Sequence, residues 1–192
     1  MIKPDKWIKY MCEKHKMITP YSDSRIKKTE NLISHGISSY GYDIRLSKSF
    51  KVPIVKKKDE KNFTLDPKDK NNYLKFKDVE CNCEYFIIEP NSYVLGRSIE
   101  YFRIPRNILA IPFGKSTYAR CGLIVNLTPF EPEWEGFATI SLVNPTRWRI
   151  KVYPGEGIAQ VIFLESPEEC LFSYADKKGK YQKQEAIYLS KV

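Results

Sequence analysis

Tyr85-Phe86-Ile87-Ile88, Tyr93-Val94-Leu95-Gly96, Ile108-Leu109-Ala110-Ile111, Gly122-Leu123-Ile124-Val125-Asn126-Leu127, Phe137-Ala138-Thr139-Ile140-Ser141-Leu142-Val143, Ile150-Lys151-Val152-Tyr153 and Ile158-Ala159-Gln160-Val161-Ile162-Phe163-Leu164 are short apolar runs that follow one another from residue 84 onward. Turn signals separate them, among them Glu89-Pro90-Asn91, Ile104-Pro105-Arg106-Asn107 and Tyr153-Pro154-Gly155-Glu156-Gly157. Short strands recurring every ~8–12 residues predict a mainly β fold, a distorted barrel or jelly-roll-like double sheet.

Upstream of these runs, Tyr42, Ile44 and Leu46 alternate as on a strand. The N-terminus reads as a helical segment within residues 1–20. Asp5 can cap it, Ile8, Met11, Cys12 and His15 recur at helical spacing, and Pro20 ends it. Residues 116–121 can form a turn or two of helix that stops at Gly122. Residues 56–78 are lysine-rich and polar, and read as a long excursion with at most short strands. The tail, 174–192, is basic and ends in a strand-like run, Ala186-Ile187-Tyr188-Leu189. The chain reads as a single domain, 1–192.

Composition fits that reading. The chain has 192 residues, 42% of them hydrophobic and 29% charged, which suits a folded globular domain. No apolar run approaches the ~20 residues that span a bilayer. The first residues lack the pattern of a secretory signal, so a cytoplasmic protein with no membrane partner is expected. Five scattered cysteines suit free thiols. Cys81-Asn82-Cys83 lacks the C-x-x-C spacing of zinc and redox sites. Neither His15 nor His35 begins an H-x-E, and no P-C-x-x-C occurs, which excludes zinc-dependent deaminase chemistry of that type. The net charge is +9, with lysines gathered at 56–61, 68–77 and 177–183. Such clusters are solvated surface or attract phosphates, of a nucleic acid or of a nucleotide.

Two polar stretches could carry chemistry. Gly114-Lys-Ser-Thr-Tyr-Ala-Arg-Cys-Gly122 follows a strand and opens a short helix. Its backbone N–H groups with Lys115, Ser116, Thr117 and Arg120 make an anion cradle, although the Walker spacing is absent and a plain strand-to-helix turn reads equally well. Thr128-Pro-Phe-Glu-Pro-Glu-Trp-Glu-Gly136 places three acids beside a tryptophan in a loop fixed by two prolines. That arrangement suits ribose-hydroxyl recognition or general-base work. Glu133 and Glu135 also read as a charged hairpin tip.

These two stretches, with Ser38-Ser-Tyr-Gly-Tyr-Asp-Ile-Arg45, Pro154-Gly-Glu-Gly-Ile-Ala-Gln160, and Lys180-Tyr181 with Gln184, stand in the order of the motifs of the dCTP deaminase family, within the dUTPase-like superfamily. The resemblance runs from the N-terminal helix to the tail. It implies a homotrimer with active sites between subunits, and zinc-independent hydrolysis of dCTP to dUTP and ammonia. Magnesium arrives on the triphosphate, and dTTP is a candidate regulator. Matched motif by motif, Lys115, Ser116, Thr117, Tyr118, Ala119 and Arg120 form the nucleotide loop. Ser116 helps hold the attacking water, and Arg120 is a charged active-site residue. Glu131 contacts the deoxyribose 3′ hydroxyl. Thr139, Ile140 and Ser141 lie beside the pyrimidine. Gln160, Tyr174, Lys180 and Gln184 contact the triphosphate, and the tail covers the nucleotide.

One position departs from the pattern. The family's general acid/base is a glutamate on the strand after the acidic loop, and counting from Trp134-Glu-Gly136 places Ser141 there. The next acid after Glu135 is Glu156. A serine hydroxyl cannot take a proton from water near neutral pH without a base beside it. Three readings follow: an inactivated variant, a nucleotide-binding paralogue without deamination, or a dUTPase-like diphosphatase. The tail Lys177-Lys-Gly-Lys-Tyr-Gln-Lys-Gln184 is of deaminase type, not the arginine- and glycine-rich closing motif of the dUTPase branch. A different class of function is a nucleotide sensor, or a nucleic-acid binder using lysines 56–77. Nucleic acid is not the expected partner. Trp148, between arginines, is expected to cover the barrel edge rather than stack on bases, and Tyr85, Phe86, Tyr101 and Phe102 are expected in core or trimer packing.

Overall fold

The computed structural model describes residues 1–23, 31–54 and 64–191. Helix α1 (Asp5–His15) is followed by β1 (Ile18–Thr19), β2 (Gly36–Ser38) and the long β3 (Gly41–Pro53). A 3₁₀ helix, Lys70–Lys75, leads to β4 (Phe76–Glu80), β5 (Phe86–Ile88), β6 (Ser92–Arg103) and β7 (Ile108–Gly114). Then come α2 (Ser116–Ala119), β8 (Ile124–Asn126), β9 (Glu135–Asn144), β10 (Ile150–Val152) and β11 (Gly157–Glu165). Among the described residues, nine strands form one sheet with the path β7-β11-β3-β6-β9-β8, to which β1, β2 and β4 add at the side. Its two ends return to each other: a Cβ built on Gly114 of β7 would lie 3.0 Å from Val125 of β8. The result is the nearly closed, barrel-like sheet that the spaced apolar runs predict. β5 and β10 pair separately. No helix among the described residues is long and apolar enough to cross a membrane.

Alternation explains the core. Tyr42, Ile44 and Leu46 of β3 are fully buried, as are Ile140 and Leu142 of β9 and Val161 and Phe163 of β11. Helix α1 closes one side through Ile8 and Cys12, which are one helical turn apart. Phe102 is buried, and Phe86 stacks on Phe50 with centroids 4.1 Å apart, as expected for packing aromatics. Gly96 has no room for a side chain, since an added Cβ would sit 2.8 Å from Leu46 Cδ1.

Several expectations need correction. Helix α1 ends at His15, where Lys16 turns left-handed at φ 55°, well before Pro20. The residue at its N-cap is Pro4, and the Asp5 carboxylate accepts instead from its neighbour Lys6 N at 2.8 Å. The excursion at 64–78 carries the 3₁₀ helix and the start of β4, whereas lysines 56–61 lie outside the described residues. The strand-like run Ala186–Leu189 forms no strand. It contributes the buried Ile187 instead. Trp148, expected to cover the barrel edge, is 75% exposed instead.

The register of β3 and β6 slips between Leu46/Phe50 and Ser98/Gly96, and the β6–β9 register slips between Arg97 and Tyr101. At this irregularity Glu100 lies fully buried. Its carboxylate accepts from Arg45 Nε at 2.7 Å and from Arg45 N at 2.9 Å. Ser98 Oγ donates to Glu100 O at 2.7 Å and accepts from Ala138 N at 2.8 Å. A carboxylate thus replaces ladder hydrogen bonds that the slipped strands cannot make. Burial pushes the Glu100 carboxyl above its ordinary pKa, against the pull of the Arg45 side-chain and backbone hydrogen bonds.

Candidate active site

A cavity of about 580 Å³ opens between β9, the acidic loop and the tail. Its walls include Leu95, Asn126, Phe130, Glu131, Trp134, Thr139, Ser141, Tyr174, Lys180 and Gln184. The alternation of β9 makes this possible. Ala138, Ile140, Leu142 and Asn144 point into the core, which leaves half-buried Thr139 and Ser141 together on the cavity face. Ile140, counted among the pyrimidine neighbours from the sequence, is a fully buried core side chain. Ser141 is held in register between Leu95 on β6 and Asn126 on β8, so its backbone position is fixed from both sides.

Glu131 is placed by a tight turn. Trp134 N donates to Glu131 O at 3.0 Å, Pro132 follows, and Glu133 has φ 60°, the pattern of a type II turn. Trp134 is buried, stacked on Phe130 at 4.7 Å, and its Nε1 donates to Tyr181 O at 3.0 Å. Glu131 itself is exposed, with Lys177 Nζ 3.5 Å away. Among the described lining residues it is the one carboxylate.

The tail folds back along β9. Tyr174 N donates to Pro132 O at 2.9 Å, and Tyr174 Oη accepts from Tyr181 N at 2.9 Å. Lys183 N donates to Glu135 O and Phe137 N to Gln184 O, both at 2.9 Å. The Gln184 carboxamide donates to Phe137 O at 2.9 Å and to Thr139 Oγ1 at 2.5 Å. Lys180 Nζ donates to Lys191 O.

The remaining predicted residues sit elsewhere on the chain. Lys115 Nζ pairs with Asp43 at 2.5 Å, with both side chains only 13% exposed. Gln160 Nε2 donates to Ser38 Oγ at 2.9 Å. Ser116, Thr117, Ala119 and Arg120 are exposed on α2 and its end, whereas Tyr118 is buried with its hydroxyl accepting from Tyr153 N at 3.1 Å. Gly122 terminates this turn with φ +83°, as expected. The predicted residues thus form two groups: Glu131, Thr139, Ser141, Tyr174, Lys180 and Gln184 in one cavity, and 115–120 with Gln160 at the β7–β11 end. His35, which the sequence offered only as a histidine, lies near the second group. Burial, then Arg45, hold its imidazole below the ordinary pKa. Asn126 and Leu95 gave no sequence signal, because they reach the cavity only through pairing with β9.

A mostly apolar cavity with a few converging polar groups, on a nearly closed β scaffold with a basic tail along one wall, has the character of a small-molecule site. Residues 2–166 match the model of the dCTP deaminase-like family, and the chain belongs to that family. It is 52% identical over 192 residues to a dCTP deaminase of Chlamydia felis, covering 97% of this chain and 96% of that one. To the dCTP deaminase of Burkholderia cenocepacia it is 49% identical over 200 residues, covering 100% and 99%. Among solved structures, the 2′-deoxycytidine 5′-triphosphate deaminase of Agrobacterium tumefaciens superposes with a TM-score of 0.62 at 14% identity. The match covers 85% of this chain and 48% of that longer one, and shows the shared fold.

Proposed function

We propose that this chain binds dCTP as its magnesium complex and hydrolyses it to dUTP and ammonia only slowly. The observation that carries the reading is Ser141, a hydroxyl on the cavity face of β9, in a lining whose one described carboxylate is the turn residue Glu131. Hydrolysis adds water to the pyrimidine C4, delivers a proton to N3 and a second to the departing amine. Each transfer needs a group that both accepts and gives protons near pH 7. Neither Ser141 nor Thr139 does so, and neither histidine lines the cavity. Binding draws on different groups. Glu131 reaches the sugar end, Thr139 the base end, and Tyr174, Lys180 and Gln184 the phosphates. A single carboxylate does not form a protein cage for a divalent ion, so magnesium rides on phosphate oxygens and water as part of the substrate.

The second group of predicted residues, Lys115, Ser116, Thr117, Arg120 and Gln160, is supplied in this reading by a neighbouring subunit of a homotrimer. A stable monomer at micromolar concentration in sedimentation speaks against it. Calorimetry with dCTP, CTP, dUTP and dTTP, each with magnesium, tests the binding. The expected result is saturable binding with preference for the cytosine deoxynucleotide. Affinity that ignores base and sugar but falls steeply with salt instead marks a nucleic-acid binder.

A further inference from the structure

Arg106 stands outside the cavity, in the turn between β6 and β7, yet its guanidinium holds the two segments that form the cavity's rim. Nη1 donates to Glu133 Oε2 at 2.7 Å, within the acidic turn. Nη2 pairs with Asp176 Oδ2 at 2.9 Å and donates to Cys170 O at 3.3 Å and Leu171 O at 3.4 Å, at the root of the tail. Nε lies 3.5 Å from Glu169. Both anchored segments lead directly to predicted substrate contacts. Glu133 is the third residue of the turn that starts at Glu131. Asp176 and Ser173 close a reciprocal pair, Ser173 N to Asp176 Oδ2 at 3.0 Å and Asp176 N to Ser173 Oγ at 3.2 Å, with Tyr174 between them.

We propose that Arg106 is a positioning residue for nucleotide binding, which sets Glu131 and Tyr174 at their mutual distance across the cavity mouth. This rests on the reading of the cavity as the dCTP site. The ordinary alternative is a surface ion-pair cluster, since the Arg106 side chain is 30% exposed and such pairs contribute little to stability. Geometry argues for more. A planar fork with rigid donors fixes the angle between two segments as well as their separation, which a lysine does not.

The test is calorimetry of magnesium-dCTP binding beside thermal unfolding, for the parent, Arg106→Gln, Arg106→Lys and Asp176→Asn. Arg106→Gln is expected to weaken binding about tenfold, as misplacement of substrate-contacting groups does, while Tm falls by no more than about 3 °C. Arg106→Lys, which keeps the charge but not the fork, should recover less than half of that loss in logarithmic terms. Asp176→Asn should also weaken binding, and the double variant should be no worse than Arg106→Gln alone, because both remove one tie. Unchanged affinity in Arg106→Gln, or a lowered Tm with normal affinity in the folded protein, overturns the role. So does full recovery by lysine. If Arg106→Gln does not fold, Arg106→Lys decides by the same measure. A parent that binds no dCTP overturns the cavity reading itself, a result distinct from a parent that binds and a variant that binds equally well.

Discussion

Ser141→Glu should raise ammonia release from dCTP by roughly 10²–10⁴-fold, the range that a positioned proton-transfer group contributes, while dCTP affinity changes little. The position is ready for the side chain. β9 is paired on both sides at residue 141, so the Cα does not move, and the side chain already faces the cavity. A carboxylate there can take the proton of the attacking water and return it to N3, which the serine hydroxyl cannot do. The expected pattern, a large change in turnover with binding nearly constant, is that of an interaction made only in the transition state. The measurement is dUTP and ammonia formation by both forms at saturating magnesium-dCTP. A parent that already turns over at about 1 s⁻¹ or faster, an ordinary enzymatic rate, shows that protons move through another group. Two silent forms that both bind dCTP identify a nucleotide-binding paralogue.

Arg45→Met is expected to be the most costly substitution for stability. It strands the fully buried Glu100 with backbone donors alone, from Arg45 and from Glu100 itself. Breaking such a pair from one side costs about 3–5 kcal/mol, and the partial exposure of Arg45 places this case near the lower end. The deficit depends on pH. The Glu100 carboxyl already has a folded-state pKa above its unfolded value, and loss of Arg45 raises it further. The folded protein then holds this proton more tightly than the unfolded chain. That stabilisation is complete below the unfolded pKa and disappears as pH rises through the folded pKa. His35 acts in the same direction, because loss of Arg45 relieves the depression of its imidazole and so lowers the acid-side penalty. Thermal unfolding of parent and variant should therefore differ more at pH 8 than at pH 5. A gap independent of pH shows that Glu100 is not ionised against Arg45.

The same pair marks the boundary of what the sequence made legible. The alternation of Tyr42, Ile44 and Leu46 and the spaced apolar runs sufficed for a mainly β, barrel or double-sheet architecture, because burial on one face imposes period two. Within β6, however, the apolar run legible in the sequence stops at Gly96, and the strand runs on through Arg97 and Glu100 to Arg103. The reason is a partner on β3 that local pattern cannot see. Ala186–Leu189 failed in the opposite way: its apolar residues insert singly, and pairing with β9 is limited to the bridge at Gln184. For the site, Glu131, Thr139, Ser141, Tyr174, Lys180 and Gln184, named from motif order, line one cavity, whereas Lys115, Arg120 and Gln160 do not. Motif order said nothing of Asp43 beside Lys115 or Ser38 beside Gln160, since those contacts join residues far apart in the chain.

The tail's attachment to β9 also supplies a clock. The Phe137 amide donates to Gln184 O, so it meets solvent only when that part of the tail lifts away. Its neighbours Ile140 and Leu142 lie in the sealed interior of the barrel. Deuterium uptake at Phe137 thus reads the opening frequency of the tail, against an internal standard on the same strand that reads unfolding of the whole domain. One peptide from β9 would separate the two events.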